Sequence, residues 1–469
     1  MRYNLILDTD SYKLSHFAQY PKTVEGLSAY IEARGIDPYT ANEYRYVIPF
    51  GLQMFIKQRL LTPITKEDID EAAAFATAHG EPFNKEGWEY ILQQYKGFLP
   101  IQIHAAPEGQ PVPIGHVLVR VDCTDPKVFW LATYIETALQ RSFWYATTVA
   151  TNSHSIRKVI KLFLHDTADN LDGLDFKLHD FGARGASSEE SAQYGGAAHL
   201  VNFRGSDTIS GIRAANYYYN TNMAAFSVPA AEHNTMTAWG KDREKEAFEH
   251  MINTFGGKFP IVSVVSDSYD IFNAIDIWGS LRDKVLASGS LLVIRPDSGD
   301  PVDTVLKVIR RIESWYGATT NSKGFKVLNG VRVLQGDGID KEMVERILFN
   351  LRIHRYSADN MVFGSGGALL QKVNRDTYKF AMKGSAVFVS GAHGKYWEPI
   401  SKDPVTDKGK KSKGGLLELY RSRMTGGYLT LPKNVTVDEE FIPVLRLVYD
   451  TGKLLVDESL DEIRQRANG

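Results

Sequence analysis

The stretch LLVIRPDSGDP (291–301) reads as a strand ending near Arg295, a polar loop of Asp, Ser and Gly, and a helix beginning at Pro301. Asp300 sets a capping oxygen ahead of a proline at the first helical position, where a missing N–H costs nothing. The same order recurs on both sides of it. The junctions are KLHDFGARG (177–185), VNFRGSDT (201–208), FSVPAAEH (226–233), VSVVSDSYD (262–270), VRVLQGDGID (331–340) and MVFGSGG (361–367), and Asp340 stands before the helical KEMVERIL. With Asp180, Asp207, His233, Asp267, Asp297, Asp337 and Gly364 as markers, successive spacings run from 26 to 40 residues, which suits one strand and one helix per unit. Parallel βα units close into a barrel or form an open doubly wound sheet, and both place ligands at the carboxyl ends of the strands. Seven units favour an irregular seven-stranded β/α barrel.

Outside this repeat the pattern changes. Residues 1–145 mix helices and strands without a repeating unit: Thr65 with Asp68 marks a helix start, IQIHAA (101–106) and HVLVRV (116–121) read as strands around a turn, and Val128, Leu131, Ile135 and Leu139 share one helix face. Trp130 and Trp144 are read as core. After about Gly384 the repeat stops; VFVSG, LLELYR and FIPVLRLVYD read as strands, and Ser459 with Glu462 boxes a final helix. The expected organisation is an N-terminal α/β layer over 1–145, a βα repeat over 146–384, and a tail over 385–469 that packs back on the first.

Composition excludes several function classes. With 54 basic and 56 acidic residues among 469, the formal net charge is -2, so there is no broad electrostatic footprint for nucleic acid or an anionic membrane. Hydrophobic residues at 43% and charged residues at 23% are those of a globular chain, and no apolar run approaches spanning length. Cys123 is the single cysteine, which rules out an internal disulfide and a cysteine metal cluster, and a cytoplasmic location is the default. There is no HExxH, no P-loop and no GxGxxG opening a helix, which disfavours a zinc hydrolase, a P-loop enzyme and a Rossmann enzyme.

The chemistry resides in the loops. A single loop aspartate is usually a cap or turn former. Several converging on one face repel unless a cation or a polyanionic ligand organises them, so Asp180, Asp207, Asp267, Asp297 and Asp337, with Arg184, Arg295 and His233, read together as a site. Gly364-Ser-Gly-Gly367 ahead of ALLQK can present backbone N–H groups to a phosphate, with Arg375 and Lys383 downstream as positive charge. Aspartates beside a phosphate site suit Mg²⁺, which takes oxygen ligands and is shared with substrate phosphates. KGKKSKGG (408–415) is the one basic run.

At these same loops the chain resembles the nicotinamide phosphoribosyltransferases, a family of type II phosphoribosyltransferases. The likeness is carried by TDSYKLSH (9–16), LHDFGARGASS (178–188), HLVNFRGSDT (199–208), SVPAAEH (227–233), VVSDSYD (264–270), IRPDSGDP (294–301), QGDGID (335–340), FGSGGALLQK (363–372) and KDPVTDKGKKSKGG (402–415), nearly the full length in one order. It implies a seven-stranded α/β barrel beside an α/β domain built from both chain ends, working as a homodimer with shared active sites. It implies transfer of phosphoribose from 5-phosphoribosyl 1-pyrophosphate (PRPP) to nicotinamide, giving nicotinamide mononucleotide and pyrophosphate.

Residue by residue, the resemblance implies that Phe181 and Tyr12 of the other subunit sandwich the pyridine ring, that Asp207 accepts from the amide, and that Arg295 and Arg184 border base and ribose. It implies Asp267 and Asp297 as the acidic pair near ribose and magnesium pyrophosphate. Ser227, Gly336, Asp337, Gly366 and Gly367 fall to phosphoribose, and Arg34, Arg375 and Lys383 to phosphate oxygens. His233 matches the histidine that ATP phosphorylates, and the basic run 408–415 closes over phosphate or nucleotide. Two positions depart from the family: Ala381 where a Ser is common two before the phosphate-binding lysine, and Ala183 where a Tyr is usual. The rivals are nicotinate phosphoribosyltransferase, against which Asp207 argues by charge, a magnesium-dependent aldolase or phosphatase, for which Lys177 is the one candidate Schiff-base lysine, and a non-catalytic relative.

Overall fold

The computed structural model describes residues 3–36, 44–391, 394–406 and 411–469. The chain divides into two compact units, one of Met1–Thr151, Tyr217–Asn220 and Asn374–Gly469, the other of Asn152–Asn216 and Thr221–Val373. The divisions lie away from 145 and 384. The first falls inside the helix Glu136–Thr167, and the second precedes the strand Phe380–Gly391. That strand pairs antiparallel with Val24–Ala33, so its hydrogen bonds tie it to the chain ends and not to the βα repeat.

The first unit is built on a seven-stranded antiparallel sheet in the order Gly394–Pro399, Phe380–Gly391, Val24–Ala33, Val117–Cys123, Gln102–Ala105, Arg446–Asp450, Lys453–Leu454. N-terminal strands form the middle and C-terminal strands both edges, so neither end of the chain completes this sheet alone. Trp88, Trp130 and Tyr134 meet edge to face with centroids 5.1 to 5.2 Å apart in its core. Trp130 is buried as read from the sequence, while Trp144 is only partly covered. Thr65 and Asp68 form the expected capping box on Lys66–His79, and Ser459 and Glu462 form another on Leu460–Asn468. Each cap satisfies orphan N–H groups at a helix start and is worth about 1 kcal/mol.

The second unit is a parallel sheet with helices between its strands. The order is Gly205–Ser206, Leu178–Asp180, Met361–Ser365, Val331–Gln335, Leu291–Arg295, Ile261–Val265. The expected helix starts are in place: Asp300 accepts the Asp303 N–H at 2.9 Å with Pro301 behind it, and Asp340 accepts the Met343 N–H at 3.0 Å. Val262, Val264, Leu292, Ile294, Val331, Val333, Met361 and Phe363 are buried, which is why these strands read as nearly unbroken apolar runs.

The seventh junction differs from expectation: FSVPAAEH (226–233) holds no strand. Pro229 has no N–H to give a ladder. The segment instead makes one isolated bridge, of two hydrogen bonds, to each outer strand. Phe226 donates to the Arg204 carbonyl at 2.8 Å and accepts from the Ser206 N–H at 3.3 Å, while Ala231 donates to the Ser263 carbonyl at 2.9 Å and Pro229 accepts from the Ser263 N–H at 3.0 Å. The result is a mixed α/β fold with a parallel half-barrel sheet whose strand ends all point one set of loops to the same side.

Candidate active site

In the second unit, most of the predicted positions lie at strand ends or in the loops that follow them. Phe181 follows the strand Leu178–Asp180, and its N–H donates to the Ser365 carbonyl at 2.9 Å across the parallel pair. Its ring lies on the next strand. A Cβ at Gly364 would stand 2.1 Å from Phe181 Cε2, and one at Gly336 would stand 3.7 Å from the same atom and 3.1 Å from Asp297 Oδ1. Gly366 backs the Phe181 carbonyl, and Gly367 faces Gly185, next to the exposed Arg184. Gly364 and Gly336 admit the aromatic ring because they carry no side chain.

Asp207 lies on the other side of Phe181. Its N–H donates to the Asp180 carbonyl at 2.9 Å, and its Oδ1 accepts the Ser227 hydroxyl at 2.6 Å. Ser227, grouped by resemblance with the phosphoribose contacts, thus has its hydroxyl on the Asp207 carboxylate. One carboxylate oxygen is engaged and the exposed side chain keeps the other for a donor. His179 fills the space between: its ring centroid is 6.1 Å from that of Phe181, and a Cβ on Gly205 would stand 2.5 Å from its Nε2. Burial pushes the His179 imidazole below its ordinary value, with the Asp207 charge opposing.

A chain of polar contacts joins the remaining groups. His233 opens the short helix His233–Thr237, and its Nε2 lies 3.0 Å from Asp267 Oδ1. Asp267 Oδ2 accepts the Asp297 N–H at 3.0 Å, and Asp297 Oδ2 accepts from Arg295 at 3.2 Å. Arg295 Nε is buried without a partner. One carboxylate therefore orients the histidine and the neighbouring loop together. Asp337 is exposed, and its carbonyl accepts from the buried Gln335 side chain at 3.1 Å. The Ser365 hydroxyl donates to the Ile339 carbonyl at 2.8 Å. Gln335 and Ser365 were missed in the sequence; the available signal is a polar residue closing an apolar strand.

Four predicted residues belong to the first unit. Lys383 lies on the strand Phe380–Gly391 opposite Tyr30, and Arg34 follows the paired strand Val24–Ala33, its N–H on the Lys379 carbonyl at 3.4 Å. Arg34 Nε donates to Glu32 at 3.1 Å, and one of its terminal nitrogens is buried without a partner. Burial lowers the Lys383 amine from its ordinary value, the like charges of Arg34 and Lys13 add to the fall, and Glu136 opposes it. Arg34 thus shares the Glu32 carboxylate with Lys413, while the Lys383 amine donates to the Met382 carbonyl at 2.7 Å. Tyr12 is exposed in the turn Ser11–Ala18, and Arg375 is exposed beside Asp376 at 3.1 Å. Ala381 pairs with Glu32 in the same ladder, and Ala183 is exposed in the turn after Phe181. Of the basic run, 408–410 lie outside the described residues; Lys411 pairs with Asp403 at 2.8 Å and Lys413 with Glu32.

Lys177 has no part in this site. It precedes its strand, at the opposite end from the loops, and its Nζ contacts Asp359 Oδ1 at 2.9 Å, while Arg332 contacts Asp359 Oδ2 at 2.9 Å. A lysine locked in a buried ion pair is no free amine, which removes the aldolase reading. Among the described residues no group of three or more His, Cys, Asp or Glu can hold a metal ion by itself. No helix of the described residues is long and apolar enough to cross a membrane.

Comparisons with known proteins give the family. Residues 176–453 match the model of the nicotinate phosphoribosyltransferase (NAPRTase) family, and residues 4–103 that of the nicotinamide phosphoribosyltransferase N-terminal domain. The chain is 48% identical over 470 residues to a nicotinamide phosphoribosyltransferase of Xanthomonas campestris pv. campestris, covering 99% of this chain and 98% of that one. It is 33% identical to a Mycoplasma pneumoniae protein of the same name, over 87% of this chain and 94% of the relative. In fold it is similar to a nicotinate-nucleotide pyrophosphorylase from Pyrococcus furiosus, with a TM-score of 0.63 at 16% identity over 99% of this chain and 95% of that one. A human nicotinic acid phosphoribosyltransferase gives a TM-score of 0.56 at 16% identity over 98% and 92%. The chain belongs to the nicotinate phosphoribosyltransferase (NAPRTase) family and, within it, groups with the nicotinamide phosphoribosyltransferases.

Proposed function

We propose that this chain transfers the phosphoribosyl group of PRPP to nicotinamide, forming nicotinamide mononucleotide and pyrophosphate for NAD salvage. The observation that carries the reading is Asp207, held at one oxygen by Ser227 and tied through its N–H to the carbonyl of Asp180, the residue before Phe181. A carboxylate facing an amide NH₂ is satisfied, whereas facing nicotinate it meets a second negative charge.

In the reaction the bond from ribose C1 to the pyrophosphate oxygen breaks with its electron pair leaving on pyrophosphate, and the pyridine nitrogen forms the new bond to C1. No proton moves. Positive charge gathers on the sugar, and Asp267 and Asp297 are the carboxylates on hand to stabilise it. Phe181 stacks on the electron-poor pyridine, with Tyr12 from a second copy of the chain on its other face, each contact worth about 0.5–1.5 kcal/mol beyond burial. Gly336, Asp337, Gly366 and Gly367 line the ribose and 5′-phosphate, Arg184 and Arg295 border the base and ribose, and Arg34, Arg375 and Lys383 are assigned to phosphate oxygens.

The donor set fits Mg²⁺ carried on the substrate, because the two aspartate side chains are already partly engaged and no protein-only cage surrounds them. When bound, Mg²⁺ spreads the charge of the leaving pyrophosphate. ATP serves as a coupling substrate through His233. With Nε2–H donating to Asp267, Nδ1 carries the lone pair that displaces ADP from the γ-phosphoryl group. The enzyme acts as a homodimer in the cytoplasm, and its six-stranded parallel sheet closes as an irregular barrel with the 226–231 segment in the place of a seventh strand.

Purified protein given PRPP, Mg²⁺ and either base should form nicotinamide mononucleotide far faster than the nicotinate product. Equal or reversed rates refute the base assignment.

A further inference from the structure

Asp180 takes no part in the chemistry above, yet both halves of the base site hang on it. It closes the strand Leu178–Asp180 and is fully buried. Its Oδ1 accepts the Gly182 N–H at 2.7 Å, closing a turn around Phe181, and its main-chain carbonyl accepts the Asp207 N–H at 2.9 Å. An Asp side chain that bonds its own backbone two residues on fixes the dihedrals of the residue between. Here that residue is Phe181. The turn has little room to relax: a Cβ on Gly182 would stand 2.6 Å from Leu370 Cγ, and the Phe181 ring already lies against Gly364.

The surroundings give the carboxyl little else to do. Oδ2 has the neighbouring Thr208 hydroxyl beside it and faces Gly196, where a Cβ would stand 3.5 Å away. Burial is the leading cause that pushes the Asp180 carboxyl up to about 6, against the pull of the Gly182 N–H and the Thr208 hydroxyl. Burying an ionisable group is costly, so a placement that keeps it needs a compensating role.

We propose that Asp180 is a positioning residue for the base, holding the Phe181 ring in register with the Asp207 carboxylate. It acts through Phe181 and Gly182 and touches no substrate. The inference rests on the base-site reading of Phe181 and Asp207.

The test is steady-state kinetics of Asp180→Ala and Asp180→Asn, with Phe181→Ala and Asp207→Ser alongside. Asp180→Ala should raise the KM for nicotinamide about tenfold while the KM for PRPP stays within about twofold, as losing one buried hydrogen bond at a stacking residue predicts. Asp180→Asn keeps an acceptor for the Gly182 N–H and should restore the nicotinamide KM. A common rise in both KM values, or an Asn variant as impaired as Ala, overturns the proposal. If Asp180→Ala does not fold, the Asn variant decides: a near-wild-type nicotinamide KM supports positioning, and a selective loss of it refutes the turn as the cause. Should Phe181→Ala and Asp207→Ser leave the nicotinamide KM unchanged, the base-site reading itself fails; should they raise it while Asp180→Ala does not, only the positioning role fails.

Discussion

Phe181 and Gly364 are in a contact that no side chain at 364 can share: an added methyl would stand 2.1 Å from Cε2 and 2.3 Å from Cδ2 of the ring. Gly364 is itself buried in the strand Met361–Ser365, so the backbone there has no slack to retreat. Gly364→Ala therefore has to turn the ring off its seat. The expected outcome is a nicotinamide KM raised about tenfold, the value of a lost aromatic stack, with a smaller change in the KM for PRPP. Parallel substrate titrations at saturating second substrate check it.

Asp207→Ser removes the charge that disfavours a carboxylate base. The ratio of kcat/KM for nicotinamide over nicotinate should fall about tenfold or more, through both a weaker amide contact and a lost repulsion. Competition between the two bases, read as the two mononucleotide products, gives the ratio directly. An unchanged ratio places base choice elsewhere.

His233→Ala should abolish transfer of labelled phosphate from ATP to the protein while leaving ATP-independent synthesis of nicotinamide mononucleotide measurable. Asp267→Ala should slow the labelling, because Asp267 holds the Nε2 proton and so the orientation of Nδ1. Label retained by His233→Ala sinks the phosphohistidine.

Glu108 gives a pH-dependent stability outside the site. Burial pushes its carboxyl up to about 7, the Gln53 N–H at 2.8 Å opposes, and Glu458 adds to the rise. The folded state thus binds a proton more tightly than the unfolded one, whose carboxyl titrates near its ordinary value of about 4.3. Between those values this group's contribution falls as pH rises, and above about 7 it is constant. Glu108→Gln keeps an acceptor for the Gln53 N–H without the charge. Its stability should match wild type near pH 4.5 and exceed it increasingly up to neutrality, by at most about 3 kcal/mol, with Tm rising in step. Thermal melts of both proteins from pH 4.5 to 8 check the sign; a constant gap refutes it.

The elements read from sequence were the ones with local causes. Thr65, Asp300, Asp340 and Ser459 cap helices within three residues of themselves, so their signals survive any tertiary arrangement. Failures came where pairing partners are distant. FIPVLRLVYD looked continuous, yet Phe441–Pro443 pairs with Leu417–Ser422 while Arg446–Asp450 pairs with Gln102–Ala105, in a different sheet. Pro229 announced a broken strand only once both of its flanking segments had found outer strands to bond. Likewise Phe380–Gly391 shares its apolar pattern with the strands before it and differs only in its partner.

By itself the sequence determined that acids, glycines and one histidine follow apolar runs in a fixed order, because strand ends and helix caps are set by neighbours a few residues away. The tertiary structure alone decided that the Ser227 hydroxyl meets Asp207, that Asp267 bridges His233 to Asp297, and that Gln335 and Ser365 brace the loops. Each of those contacts depends on the register between strands, a quantity of long-range hydrogen bonding that no local run of residues encodes.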